Sequence, residues 1–194
     1  MKRFYGLPTL VLDRDHSVLT IGNFDGVHLG HQELLKKTVE LAKDISGPAC
    51  VFTFRPHPQE VLRPGQKVKL LSRYDEKLEV LEQAGIDITV EELFSQDFFT
   101  QTAEEFFTTV VLQGFKARHL VVGHDFAFGK NREGTIEVLA ELCKKYQVVL
   151  HQIPALKIGS ELVSSSNIRS LLQDARVNDA GLYNTRDHRP YEWH

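Results

Sequence analysis

The stretch SVLTIGNFDGVHLGH, residues 17–31, decides the fold of this chain. Its first five residues are mostly apolar, as a buried parallel strand is, and apolar residues recur at helical spacing from Gln32 to Ala42. Strand, turn and helix therefore follow in order. Gly22, Gly26 and Gly30 allow a tight turn and a close approach of a ligand, and a helix start offers N–H groups to an anion. We expect this turn to hold phosphate.

Two histidines mark the start of the predicted helix. His28 and His31 are three residues apart, so their rings can point to the same side, toward the same phosphates. The structural alternative is an ordinary loop residue at 28 and a polar residue on an exposed helical turn at 31. In the same turn, Asn23 can donate to a phosphate oxygen. Asp25 either faces the ligand or fixes the loop by accepting backbone N–H groups.

The composition excludes several classes of protein. The 194 residues are of ordinary size for one domain, and a formal net charge of −3 lacks the positive field of a nucleic-acid binder. We expect Cys50 and Cys143 to be buried free thiols, which indicates a reducing compartment, the cytoplasm. No apolar run follows Met1 or reaches the length of a membrane span, so we expect no export signal and no membrane partner.

Strands and helices alternate along the chain, which predicts an α/β fold with a parallel sheet. We expect a helix start with a capping box at Thr102–Glu105 and a mobile basic loop over 55–72. In the helix that begins at Tyr74, Lys77 falls among the charged residues that we assign to a solvated face. The predicted strands are Val18–Phe24, Ala49–Phe54, His119–Val122 and Val148–Ile153, and the predicted helices are Gln32–Lys43, Tyr74–Ala84, Ala103–Leu112 and Thr135–Tyr146.

A second anion site is predicted near the end of the chain. Ser164, Ser165 and Ser166 precede a helical run and form a hydroxyl-rich N-cap, with Arg169 in the first turn. A cation there opposes the helix dipole by about 0.3 to 1 kcal/mol, so its position makes sense if an anion lies between them. The alternative is a plain capped helix.

Five blocks of the sequence resemble a known family. GNFDGVHLGH at 22–31 resembles the signature of the nucleotidyltransferase superfamily, in the form found in the adenylyltransferase module of bacterial bifunctional riboflavin kinase/FAD synthetases. Four further blocks agree in the same order: TFRPHP at 53–58, FSQDFF at 94–99, VVGHDFAFG at 121–129 and SSSNIR at 164–169. In the last block, Ser166 stands where threonine is common in the family and keeps the hydroxyl. Together the blocks specify the flavin branch.

The resemblance implies a fold and a reaction. The fold is a Rossmann-like parallel sheet flanked by helices, of the nucleotidyltransferase (HxGH) type, with an FMN adenylyltransferase domain over 1–175. The reaction is the transfer of AMP from ATP to the phosphate of FMN with Mg²⁺, which gives FAD and pyrophosphate. A nucleotidyltransferase for another phosphorylated acceptor, or a catalytically silent flavin- or nucleotide-binding regulator, is the alternative. Intact His28, His31, Ser164 and Arg169 argue against the silent regulator.

The resemblance also implies roles for single residues. We expect His57, between two prolines that can support an isoalloxazine, to be either a flavin contact or a structural turn residue. Asp125 can serve a flavin, ribityl or Mg²⁺ site, or cap a turn. The catalytic residues implied are His28, His31, Ser164 and Arg169. The ATP-binding residues implied are Gly22, Asn23, Phe24, Asp25, His28, His31, Ser164, Ser165, Ser166 and Arg169. The flavin-binding residues implied are Phe54, Pro56, His57, Pro58, Asp125, Phe126 and Phe128, and the metal ligand is Asp125.

The family also implies a second module. Its members usually continue into a β-barrel riboflavin kinase, and we expect residues 176–194 to be a linker or the truncated start of that module. Kinase chemistry is therefore expected to be absent from these residues. The expected partners are ATP and FMN as small molecules and a covalent or separate riboflavin kinase, with no nucleic acid.

Overall fold

The structure, a computed structural model, describes residues 1–63, 65, 68–174 and 177–183. Six parallel strands form one sheet in the order β1-β4-β3-β2-β5-β6. Because β2 pairs with β3 on one side and with β5 on the other, the strand order reverses there, and ligands bind at such a switch point. The strands are β1 Lys2–Tyr5, β2 Ser17–Ile21, β3 Ala49–Arg55, β4 Ile88–Leu93, β5 Ala117–Gly123 and β6 Val149–Ile153.

Helices cover both faces of this sheet. A π-helical segment, Phe107–Gly114, continues α5, and β7 Lys157–Ile158 pairs with β8 Glu161–Leu162 in a separate hairpin. The helices are α1 Leu29–Asp44, α2 Pro58–Leu62, α3 Tyr74–Gln83, α4 Gln96–Phe99, α5 Ala103–Phe106, α6 Ile136–Lys145, α7 Ser165–Gln173 and α8 Val177–Gly181. None of the helices that the structure describes is long and apolar enough to cross a membrane.

The core has two layers, one on each face of the sheet. Leu35 of α1 and Leu81 of α3 pack with Val51 and Val121 on one face, while Phe52 and the helices α5 and α6 fill the other. Central strands with both faces buried are largely apolar, which explains the apolar runs in β2 and β3. A third cluster joins α7 to α8, and Ala180 and Tyr183 are buried in it.

The predicted α/β architecture is confirmed, and the four predicted strands and four predicted helices exist. Strands β1 and β4 and the small hairpin were not predicted. The capping box is confirmed, because the backbone N–H of Thr102 donates to Glu105 Oε2 (2.8 Å). The predicted loop over 55–72 is wrong in part, since Pro58–Leu62 forms α2.

The C-terminal prediction falls mostly outside the described residues. Of the segment 176–194, the structure describes 177–183, and there the backbone carbonyl of Tyr183 accepts a hydrogen bond from the N–H of Leu29 (3.0 Å) at the start of α1. The packed part of the chain therefore extends to residue 183. Residues 184–194 lie outside the described residues, and the linker or module start stays a prediction.

Candidate active site

A cleft opens at the carboxyl ends of β2 and β5, where the strand order reverses. Five groups of residues line it: the turn after β2 with the start of α1, the start of α2, the turn after β5, the segment after β6, and the start of α7. The predicted residues that line the cleft are Gly22, Asn23, His28, His31, His57, Asp125, Phe126, Ser164, Ser165, Ser166 and Arg169. The two predicted phosphate motifs, about 140 positions apart in sequence, thus share one cavity.

The turn after β2 is held from behind by a buried carboxylate. Asp25 is only 4% exposed, and its Oδ1 accepts the backbone N–H groups of Leu71 (2.9 Å) and Ser72 (3.3 Å). Phe24 has a left-handed backbone (φ 52°) and a fully buried ring. Asp25 therefore fixes the loop, as one of our two interpretations predicted, and Phe24 and Asp25 lie behind the cleft lining.

The two histidines form one stacked pair. The rings of His28 and His31 lie 3.7 Å apart between centroids at an angle of 17°, which confirms that they point to the same side. His28 also caps α1, because its Nδ1 accepts the backbone N–H of His31 (3.3 Å). With Nδ1 used as an acceptor, the proton of a neutral His28 ring is on Nε2, which is a hydrogen-bond donor.

Both rings are neutral at pH 7. Burial lowers the pKa of His28 from 6.5 to about 4. Burial, followed by the charges of His28 and Lys77, lowers the pKa of His31 well below 6.5. A neutral histidine ring can donate one hydrogen bond to an anion, and it brings no positive charge.

The start of α7 is attached directly to the first turn. The Ser165 hydroxyl donates to the backbone carbonyl of Asp25 (3.0 Å), and the guanidinium of Arg169 donates to Asp25 Oδ2 and to the carbonyl of Lys69 (3.0 Å). The anion that we expected beside Arg169 is thus, in this structure, the Asp25 carboxylate. Ser164 caps α7 by accepting the N–H of Asn167 (3.2 Å).

His57 reaches the cleft from the start of α2. Its Nδ1 accepts the N–H of Gln59 (3.2 Å), so its neutral ring also carries its proton on Nε2. Burial, followed by the charges of Arg169 and Lys77, lowers its pKa to about 4. The flanking residues Pro56 and Pro58 are not part of the cleft lining.

The other predicted flavin residues divide into two groups. Asp125, with 80% of its side chain exposed, and Phe126 line the cleft. Phe128 is 7% exposed and packs against Phe106, and Phe54 packs with Phe94 and other rings in an aromatic cluster beside the sheet. The structure does not bring Phe54 or Phe128 into the cleft lining.

A buried lysine was missed by the sequence analysis. Lys77 does not lie on a solvated face but is 3% exposed, and its ammonium donates to Thr53 Oγ1 (3.1 Å). Thr53 in turn donates to the backbone carbonyl of Asn23 (3.2 Å), in the cleft wall. Glu91, also buried, lies 3.9 Å from the ammonium. The sequence around a charged residue in an amphipathic helix does not show that strands of the sheet will bury that residue.

A family model and several known proteins match this chain. The model described as "FAD synthetase" matches residues 12–167. A protein of Buchnera aphidicola named "Bifunctional riboflavin kinase/FMN adenylyltransferase" is 31% identical over 182 residues, which cover 94% of this chain and 58% of that protein. A "FAD synthetase" of Listeria monocytogenes is 33% identical over 175 residues, 89% of this chain and 70% of that protein.

A solved structure shares the architecture as well. The crystal structure titled as a macrolide-efflux protein of Streptococcus pneumoniae superposes with a TM-score of 0.82 at 28% identity, over 94% of this chain and 60% of that one. The likeness confirms the fold. The chain thus spans a little under three fifths of the Buchnera relative.

Proposed function

Because this chain belongs to the FAD synthetase family, we propose that it transfers the adenylyl group of ATP to the phosphate of FMN. The products are FAD and pyrophosphate. One observation carries the proposal. Two helix starts, one with His28 and His31 and the other with Ser164 and Arg169, meet in a single cleft at the strand switch point. Helix N-termini favour anions, so the pair suits two phosphate-bearing substrates.

The chemistry requires positioning more than proton transfer. An oxygen of the FMN phosphate, already an anion at neutral pH, forms a bond to the α-phosphorus of ATP. The bond from that phosphorus to the bridging oxygen breaks, and its electron pair leaves with pyrophosphate. The protein must bring two anions together in line and stabilise the charge that grows on the leaving group. No general base is needed.

The cleft residues suit these tasks. His28 offers its Nε2–H as a neutral donor, and Ser164, whose oxygen already accepts the Asn167 amide, can donate its own proton to a phosphate. Arg169 adds a positive charge that the bound phosphates share with Asp25. We propose that His31, which stacks on His28, holds that ring in place and contributes a second donor.

A magnesium ion fits the cleft only together with substrate. Among the described residues, no group of three or more His, Cys, Asp or Glu could hold a metal ion. Asp125 is the one carboxylate in the cleft lining that the structure describes. Mg²⁺ commonly binds through one or two carboxylates plus substrate phosphates and water, so this donor set fits Mg²⁺ that arrives with ATP. When bound there, the ion would neutralise charge on the departing pyrophosphate.

We propose that the flavin lies on the side of the cleft that His57, Asp125 and Phe126 line. Phe126 stacks on Phe128 (5.5 Å between ring centroids), so Phe128 would support that wall from behind. The contacts that we predict for Phe54, Pro56 and Pro58 remain proposals.

The names of the relatives suggest a partner. Because the Buchnera protein is named as bifunctional with a riboflavin kinase, we propose that such a kinase, covalent or separate, supplies FMN to this domain. The two free cysteines, Cys50 and Cys143, support a reducing compartment, and we propose the cytoplasm.

The test is direct. The purified 194 residues, incubated with FMN, ATP and Mg²⁺, should form FAD and pyrophosphate, as measured by chromatography. A matched reaction with riboflavin in place of FMN should yield neither FMN nor FAD above the no-enzyme control. Absence of FAD from FMN, with ATP binding intact, would contradict the proposed acceptor and favour another phosphorylated one.

A further inference from the structure

We propose that Lys77 is a positioning residue of the cleft, a buried cation that fixes its floor through Thr53 and Asn23 and adds positive potential behind the phosphates. The ammonium donates to Thr53 Oγ1 (3.1 Å), and the Thr53 hydroxyl donates to the carbonyl of Asn23 (3.2 Å). Asn23 lines the cleft. Two hydrogen bonds therefore connect α3, a helix outside the cleft, to the predicted phosphate-binding turn.

The surroundings of Lys77 keep it in place. Glu91 on β4 lies opposite Thr53 on β3 in the sheet register, and its Oε1 is 3.9 Å from the ammonium. Both Glu91 oxygens are buried, with no hydrogen-bond partner among the described residues. The Tyr74 ring lies 5.2 Å below the ammonium. A lysine buried with one loose ion pair costs stability, which a role at the cleft would explain.

The charge of Lys77 acts on the cleft as well as on Glu91. Lys77 is among the charges that lower the pKa of His31 and of His57, which follows from like-charge repulsion across the cleft wall. The same positive charge attracts phosphate. Two unit charges about 10 Å apart in protein interact strongly enough to change an equilibrium constant about tenfold.

The loss of the Lys77 charge at high pH provides a second way to test this role. Burial lowers its pKa to about 8, opposed by the charges of Glu91 on β4 and Asp25 in the first turn and reinforced by Arg55 at the end of β3. Tyr74, on the same helix, is a further titratable group beside the ammonium. A base loses its charge as the pH rises through its pKa, so the added potential is present below about pH 8 and lost above it.

The first experiment measures ATP binding without Mg²⁺ by calorimetry, in the full chain. We expect Lys77→Met to weaken ATP about tenfold at pH 7 and to remove the loss of affinity that the wild type shows between pH 7 and pH 9. Lys145→Met, which removes an exposed lysine on α6, should behave as the wild type. Because Lys77→Met leaves Glu91 unpaired, the double variant Lys77→Met/Glu91→Gln removes both charges and should give the same loss in a well-folded chain.

The second experiment separates the hydrogen bonds from the charge. Thr53→Val breaks the connection to Asn23 but keeps the ammonium, so it should lower kcat while the pKa of His57, followed by NMR, stays unchanged. Lys77→Met should raise that pKa. The binding and NMR measurements do not depend on FAD formation. Only the measurement of kcat rests on the proposed function. If Lys77→Met and the double variant bind ATP as the wild type does and His57 titrates unchanged, Lys77 is structural and the inference is wrong.

Discussion

His28 combines two roles in one ring, and a pair of substitutions separates them. Its Nδ1 caps α1, and the residue also lines the cleft. His28→Ala removes both and should lower kcat for FAD formation about 10² to 10³-fold, the range for the loss of one preorganised donor. It should also destabilise the chain by about 1 kcal/mol through the lost cap.

A control substitution at position 28 keeps the N-cap of α1. Asn is a good N-cap residue, so His28→Asn should retain the stability of the wild type in urea unfolding and still lose most of the activity. His31→Ala should lower kcat to a similar degree, with FMN affinity changed much less. Wild-type turnover in the double alanine variant would remove both histidines from the mechanism.

Asp125 lies at the exposed side of the cleft, on a different turn from the histidine pair. Asp125→Ala should weaken FMN or Mg²⁺ binding more than it weakens ATP binding without the metal, because the proposed partners of its carboxylate are the flavin and the ion. Calorimetric titration of each ligand separately measures this. Glu79→Ala, which removes an exposed acid on α3, is the control, and equal behaviour of the two variants would leave Asp125 as a turn residue.

The sequence predicted the residues of this site unevenly, for a physical reason. Local patterns identify helix starts, glycine turns and caps, so His28, His31, Ser164 and Arg169 could be found, and the structure brings them together. The partners of a buried charge depend on which elements of the fold pack together. Asp25 with Arg169, and Lys77 with Glu91, join residues from separate elements, and no spacing in the chain encodes them.

At the scale of elements, the start of α1 has a steric requirement at Gly30. A Cβ at this position would lie 3.3 Å from Cε1 and Nδ1 of His28, so it would press on the stacked ring. Alanine is the better helix former by about 1 kcal/mol. Gly30→Ala should therefore leave the free energy of unfolding equal or higher while it lowers kcat.

A matched variant isolates the steric effect. Gly181, in α8, has open space around its Cβ position, and Gly181→Ala should change kcat little. Urea unfolding and FAD formation measured on both variants distinguish the two effects. Equal activity in Gly30→Ala and the wild type would show that the ring has room to move without cost.

Strands β1 and β4 could not be predicted from the local sequence. In β1 only Phe4 is partly covered while its neighbours are exposed, so no alternation marks the strand. In β4 two glutamates follow Ile88, Thr89 and Val90, and the first of the glutamates, Glu91, is buried. β4 takes its place in the sheet by pairing with β3, and β1 takes its place by pairing with β4. Both pairings are long-range contacts. The four strands that were predicted carry apolar runs long enough to be read locally.

At the scale of the whole molecule, the buried histidines make stability depend on pH. The unfolded chain binds a proton on His28 below about pH 6.5, whereas the folded chain does so only near pH 4. The free energy of unfolding should therefore be highest above pH 6.5. It should decrease as the pH drops toward 4, by up to about 3 kcal/mol for this residue. His57 and His31 act in the same direction.

Urea unfolding at several values between pH 4.5 and pH 7.5 measures this dependence. His28→Asn removes one titrating group, and its curve should be flatter than that of the wild type. Substitution of the exposed His124 by Asn serves as the control for the change of residue type. A stability that stays constant down to pH 4.5 would mean that the histidines are protonated in the folded chain.

The bonds from Arg169 to Asp25 and from Leu29 to Tyr183 have a consequence for a chain that is still on the ribosome. Translation completes β2, the glycine turn and α1 long before it reaches residue 169. Until then Asp25 lacks its cation and the first amide of α1 lacks its carbonyl, although both sit in a nearly finished turn. We therefore expect the cleft to be complete only after α7 and Tyr183 have emerged from the ribosome.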